Sequence, residues 1–232
     1  MRFQSTIGVV IPALDEEKAI ARVISDIPTW VDRIVVADNG SRDQTVPIAQ
    51  SLGAGVVLEP SEGYGAACLA GIETVGDVDV IVFLDGDYSD HPDQMDRLVD
   101  PIVHGDADLV IGSRVRGNAD PGSLTIPQRF GNALACFLLR VIWSTDFTDL
   151  GPFRAVRRVS LEQIGMQDRA FGWTVEMQIK AVEHGLVSRE VAVDYRPRIG
   201  VSKISGTIRG TVLAGTTILS VIGRAAMRRW FR

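Results

Sequence analysis

Only two cysteines, Cys68 and Cys136, occur in 232 residues. They form neither a metal-ligand spacing nor a disulfide framework, which favours a reducing, cytosolic compartment. No stretch reaches the roughly 18 uninterrupted apolar residues of a membrane span. The opening "MRFQSTIGVVIPALDEE" lacks the longer apolar run of a secretory leader and reads as a first strand. Internal repeats and low-complexity linkers are absent. So is a G-x-G-x-x-G turn, which removes a conventional dinucleotide-binding dehydrogenase. The glycine- and lysine-rich first loop of a nucleotidyltransferase is missing too.

What is present is a chain able to bury a full core, at 46% apolar residues, with one elaborated domain expected. The net charge of −5 is unevenly spread. Residues 203–232 carry six basic side chains (Lys203, Arg209, Arg224, Arg228, Arg229 and Arg232) and no acid, which leaves −11 on residues 1–202. An acidic body with a basic, apolar tail argues against a nucleic-acid partner and suits an anionic surface for the tail.

Apolar strand patterns alternate with helical spacing through the first half. "TIGVVIPAL", "DRIVVADNG", "AGVVLEP", "DVIVFLDGD" and "ADLVIGSR" read as strands. Between them lie helical stretches such as "EKAIARVISDI" and "PDQMDRLVDPIVHG", the latter opened by Pro92. This alternation predicts an α/β fold, a mostly parallel sheet with helices on both faces. After residue 115 a loop is expected over "RGNADPGSLTIPQ". An apolar helix follows, with Phe130, Leu134, Leu138, Val141 and Ile142 along one side. Then come a strand in "DLGPFRAVRR", a helix in "WTVEMQIKAVEHG" and an edge strand in "REVAVDYRPR".

Ligands of such sheets sit beyond the carboxyl ends of the strands. Three of those ends read "PALDEE", "ADNGSRD" and "LDGDYSD", all acidic or amide-rich. In the third, a buried-strand pattern (residues 80–84) runs into Asp85, Gly86 and Asp87. Two carboxylates one residue apart, with glycine permitting the turn, can face one hard cation that is shared with a phosphate ligand. The competing explanation is an acidic turn capping the helix that begins at Pro92. "EGYGAA", from Glu62, is glycine-rich but equally consistent with a tight turn.

The ordered set "VVIPALDEE", "VVADNGSRDQT", "LDGDYSDHP", "IGSR", "DLGPFRA", "VEMQIKAVEHG" and "RPRIGVSKISG" resembles family 2 glycosyltransferases of the dolichyl-phosphate mannose synthase type, over residues 6–206. The resemblance implies a GT-A fold acting on a nucleotide sugar, UDP- or GDP-linked. Pro12, Asp15, Glu16, Asp38, Asp85, Gly86 and Arg114 would line the donor site. Asp85 and Asp87 would hold a divalent ion, Mg2+ or Mn2+. Arg129, Arg198 and Lys203 would hold phosphate of the acceptor, and Asp149 and Glu176 would face the transfer centre. Some positions depart from the family pattern: Leu14 and Asp15 replace an aromatic and an Asn, Asn39 replaces a second Asp, and Ser89 stands where Gln is frequent.

The resemblance further implies inverting transfer of a hexose to a polyprenyl phosphate, with Asp149 or Glu176 required as base only if the acceptor is a hydroxyl. Residues 1–115 would form the donor half, 116–206 the acceptor half, and 207–232 a basic amphipathic helix. Its apolar run, residues 211–223, is too short to span and suits peripheral contact with the inner face of the cell membrane. Packing of the two apolar helices on the sheet or in a homo-oligomer is the alternative. A soluble or glycan acceptor, and a non-catalytic nucleotide-binding scaffold, are the rival functions.

Overall fold

The computed structural model describes residues 1–200 and 208–230. Lys203 and the boundary expected at residue 206 lie outside them. The described residues form a seven-stranded sheet in the order β3-β2-β1-β4-β6-β5-β7. Its strands are β1 (Ile7–Ala13), β2 (Arg33–Asp38), β3 (Gly55–Leu58), β4 (Val80–Phe83), β5 (Leu109–Ser113), β6 (Arg154–Arg157) and β7 (Ser188–Ala192). All pairings are parallel except those of β6, which runs antiparallel to both β4 and β5. As expected, the last strand lies at the edge.

Helices cover both faces, so the central strands read as continuous apolar runs rather than alternating ones. Val80 and Val82 pack under α1 (Ile20–Asp26), α2 (Thr45–Ser51) and α4 (Met95–Val103). Ile81 and Phe83 face the opposite layer: α3 (Tyr64–Val75), α5 (Ile126–Trp143), α6 (Arg158–Ile164), α7 (Trp173–Glu183) and α8 (Ile208–Trp230). Every residue of β4 is buried. A short 3₁₀ turn, Pro92–Gln94, opens α4 at the proline that marks a helix start in the sequence.

Two features go beyond the sequence expectations. Helix α6 carries no readable signal between β6 and the following loop. In α5 the inward residues are Ala135, Cys136, Leu139 and Trp143, whereas Phe130 and Val141 are 69% and 64% exposed. Of the expected stripe, Leu138 and Ile142 pack partly buried against the core, whereas Phe130 and Val141 face outward. The helix is apolar almost all round, so periodicity cannot tell inside from outside. Helix α8 packs on α5 and α7 through Val221, Ile222 and Ala225, while Leu213, Leu219, Met227 and Trp230 are exposed.

Candidate active site

Parallel pairing places the acidic strand ends on one edge of the sheet. Ala13 sits opposite Asp38, and Val10 opposite Phe83, so residues 14–16, 38–40 and 85–87 emerge side by side. They border a cleft of about 490 Å³ lined by Pro12, Asp15, Glu16, Asp85, Gly86, Asp87 and Arg198, among others. Of the residues expected at the donor site or the metal from these strand ends, all but Asp38 line the cleft, and Asp38 ends the neighbouring strand. Two non-glycine residues in left-handed backbone, Asp15 (φ 52°) and Tyr88 (φ 66°), occur in the acid-bearing loops; such strain concentrates at functional sites.

Asp87 is buried at 4% exposure. Its Oδ1 accepts from the Ser89 backbone N–H at 2.9 Å and the Ser89 hydroxyl at 2.5 Å. Its Oδ2 lies 3.1 Å from Arg198 Nη2, which is also 3.1 Å from Glu16 Oε1. Ser89, a departure from the family pattern, therefore orients the carboxylate. Asp85 accepts from the Tyr64 hydroxyl at 3.2 Å, and Asp90 accepts from the Asp85 backbone N–H at 3.1 Å. Burial, reinforced by the charges of Asp87 and Asp90, pushes the Asp85 carboxyl well above the usual carboxylate range. Burial likewise pushes Asp90 up to about 7.

These shifts fix the sign of a pH effect. A carboxyl whose pKa is raised by folding binds more protons folded than unfolded, so its contribution to stability is lost as pH rises. For Asp90 the window runs from about 4, the ordinary carboxylate value, to about 7. The melting temperature in EDTA is expected to fall between about pH 5 and pH 7.5, and Asp90→Asn to flatten that slope. A slope unchanged by the substitution would refute the assignment.

Around this cluster the loops are tied together. Asn39 donates to Glu59 O and Ser61 O and accepts from Gly63 N–H. An ionised Asp could not donate, which explains the amide here. Asp15 accepts from the Arg42 backbone N–H at 2.7 Å, holding the β1 and β2 loops together. Asp38 Oδ2 accepts from Gly40 and Ser41 N–H, while its buried Oδ1 has no hydrogen-bond partner among the described residues. "EGYGAA" proves more than a turn. A side chain on Gly63 (φ +141°) or Gly65 would lie 2.1 or 2.0 Å from the carbonyl oxygens of Arg169 and Asp168. The glycines let the 168–170 backbone close over the start of α3, which brings Tyr64 and Phe171 to the cleft wall.

Other expected site residues lie elsewhere. Arg114 and Asp149 satisfy each other: Nε and Nη2 reach the two carboxylate oxygens at 2.8 and 2.6 Å. The pair holds the loop after β5 to the chain before β6, and the fully buried Asp149 is not part of the cleft lining. Glu176, on the first turn of α7, accepts from the Gln167 and Asp168 backbone N–H groups and pairs with Lys180 at 2.9 Å. It braces the 167–171 loop. Arg129 is exposed near the start of α5, outside the cleft lining.

The family 2 glycosyl transferase profile matches residues 8–165, more than half of the chain. The chain is a family 2 glycosyltransferase. An uncharacterised glycosyltransferase of Mycobacterium tuberculosis is 35% identical to it over 211 residues, covering 90% of this chain and 94% of the relative. The dolichyl-phosphate hexose transferase of Haloferax volcanii is 31% identical over 223 residues and 93% of each chain. Among solved structures, glucosyl-3-phosphoglycerate synthase from M. tuberculosis, in complex with Mn2+, UDP and glucosyl-3-phosphoglycerate, matches with a TM-score of 0.75. Its identity is 22%, and the match covers 96% of this chain and 80% of that one. The fold is accordingly GT-A-like.

In this glycosyltransferase three further residues support the cleft. Tyr64 lies in the glycine-rich "EGYGAA" segment, which the sequence leaves equally open to a plain tight turn. Asp90 stands in the acidic motif "LDGDYSD", but only burial distinguishes it from a helix-capping acid. Arg154, in "GPFR", is fully buried and donates to the carbonyls of Leu150, Gly151 and Thr174. Burial lowers its pKa to about 10. It falls within the "DLGPFRA" motif, but the motif alone does not show that its guanidinium is buried.

Proposed function

We propose that this glycosyltransferase moves a hexose from a nucleoside diphosphate sugar to a polyprenyl phosphate, with inversion, as a peripheral protein on the cytoplasmic face of the membrane. The observation that carries the donor half is the pair Asp85–Asp87 on the cleft wall, with Arg198 beside it. Among the described residues no group of three or more His, Cys, Asp or Glu is arranged to hold a metal. Two hard carboxylates suit a Mg2+ or Mn2+ ion that takes its remaining oxygens from diphosphate and water. Such an ion, when bound, supplies positive charge where the departing diphosphate gains negative charge.

The chain's own groups do the rest. Pro12, Asp15, Glu16 and Gly86 wall the donor, and Asp38 Oδ1 is the acceptor we assign to a base N–H. Arg198, expected with Arg129 and Lys203 at the acceptor phosphate, lies 3.1 Å from Asp87 and is assigned here to the donor diphosphate, to whose oxygens it offers its fork; Arg129 and Lys203 keep the acceptor phosphate. A phosphate oxygen is already anionic and needs no strong base. That fits the engagement of both expected bases, Asp149 by Arg114 and Glu176 by backbone N–H groups and Lys180. Catalysis then rests on alignment and on offsetting the repulsion of two phosphates.

Support for a lipid acceptor comes from α5 and α8. Ile126, Phe130, Phe137 and Val141 are exposed on α5, close in sequence to Arg129 and Arg140. Met227 and Trp230 are exposed on α8 beside Arg224, Arg228 and Arg229. Apolar and cationic side chains so mixed suit the interface of an anionic bilayer. No helix among the described residues is long and apolar enough to cross one. We assign residues 1–115 to the donor half and 116–206 to the acceptor half.

The relative that acts on dolichyl phosphate favours this acceptor, and the fold neighbour bound to glucosyl-3-phosphoglycerate keeps a soluble one as the second reading. The deciding assay supplies UDP- and GDP-hexoses with a polyprenyl phosphate in anionic vesicles, or with 3-phosphoglycerate in solution. Label is expected in the lipid phase. Label only in the aqueous product would replace the lipid acceptor with a soluble one.

A further inference from the structure

We propose that Arg198 is a tethered counter-ion of the acidic cluster, which a divalent cation must displace from Asp87 before the diphosphate can be gripped. The role rests on the donor site proposed for this cleft. With Asp87 Oδ1 accepting two hydrogen bonds from Ser89, Oδ2 is the oxygen left to face a cation. Arg198 Nη2 already sits 3.1 Å from that oxygen and 3.1 Å from Glu16 Oε1. A metal ion and the guanidinium compete for Asp87 Oδ2, and as like charges they repel.

The chain bearing Arg198 is bolted to the acidic loop, so the exchange involves the side chain and not the backbone. Arg196 N–H donates to Ser89 O at 3.0 Å, and Ile199 N–H to Asp87 O at 2.9 Å. Asp194 accepts from Gln94 at 2.7 Å and from Asn118 at 3.1 Å. Arg196 donates to the carbonyls of Tyr88 and Asp90 and lies 3.4 Å from the Tyr88 ring centroid. Arg198 follows two residues after Arg196. Its Nε is buried without a hydrogen-bond partner among the described residues, an unmade bond that a phosphate oxygen could satisfy.

Arg198 therefore acts with opposite signs on two ligands. Before donor binds, it competes with the cation. Once the cation is in place, the released fork holds the diphosphate, so metal and nucleotide binding are coupled. A residue that merely supported the loop would weaken both.

The experiment titrates the full-length protein with Mn2+ alone, followed by the electron paramagnetic resonance signal of free Mn2+, and then with UDP or GDP at saturating Mn2+. Arg198→Gln is expected to bind Mn2+ alone about tenfold tighter, and the preferred nucleotide about tenfold more weakly, within the usual range of such couplings. Arg198→Lys, which keeps the charge without the fork, should leave Mn2+ affinity near the wild-type value while weakening the nucleotide. It also serves as the folded comparison should the glutamine variant melt early. Unchanged or weaker Mn2+ binding by Arg198→Gln, with wild type binding normally, would overturn the counter-ion role and leave the donor site standing. Wild-type protein that bound neither Mn2+ nor nucleotide would remove both together.

Discussion

Replacing Asp87 with alanine should lower kcat/KM for sugar transfer by about 10²–10³, the effect of removing one electrostatic stabiliser of developing charge. Asp87 is singled out because its carboxylate is buried and aimed by Ser89, with Oδ2 toward Glu16 and Arg198. Asp87→Asn separates charge from packing. The amide oxygen can still accept from the Ser89 N–H and hydroxyl, so the loop should keep its conformation while losing the Arg198 ion pair. The anionic ligand is gone, and transfer should fall nearly as far as in the alanine variant. Steady-state kinetics with the donor identified by the lipid-phase assay provide the check. Full activity in either variant would exclude Asp87 as a metal ligand.

The second large effect concerns stability. Arg114→Met leaves the fully buried Asp149 carboxylate without the guanidinium that meets both its oxygens. Breaking a buried ion pair from one side costs about 3–5 kcal/mol, which lowers the melting temperature by roughly 10 °C in a protein of this size. Arg114→Met/Asp149→Asn should recover most of the loss, since the amide oxygen can still accept from the Arg114 backbone N–H now held by Asp149 at 2.8 Å. A double variant no more stable than the single one would mean that Arg114 supports the fold by packing on Tyr195, 5.0 Å away, and not by charge.

Much of this glycosyltransferase is legible in its amino-acid sequence. Strands β1, β2, β4 and β5 announce themselves as apolar runs because both faces of a parallel sheet are covered. The acidic continuations of β1, β2 and β4 fall at the carboxyl edge because parallel strands all end on one side, so Asp15, Glu16, Asp38, Asp85 and Asp87 gather there without any detail of packing. Gly86 between two carboxylates and Ser89 after them are local features that local sequence can show.

The remainder depends on contacts between residues distant in the chain. Strand β6 is antiparallel, which a short apolar pattern does not encode. Helix α5 is apolar nearly all round, so only its packing against α7 and α8 tells Phe130 from Leu139. Asp149 and Glu176 match acids of the family motifs, yet one is neutralised by Arg114, 35 residues away, and the other is held by backbone N–H groups of the 167–168 turn. Arg198 meets Glu16 across 182 residues. Sequence by itself determined which residues carry charge and on which edge of the sheet the acids emerge, because backbone period and burial are local properties. Which cation neutralises which acid was decided only by the tertiary structure, because the interaction of two charges depends on their distance in space and on how far water is excluded between them.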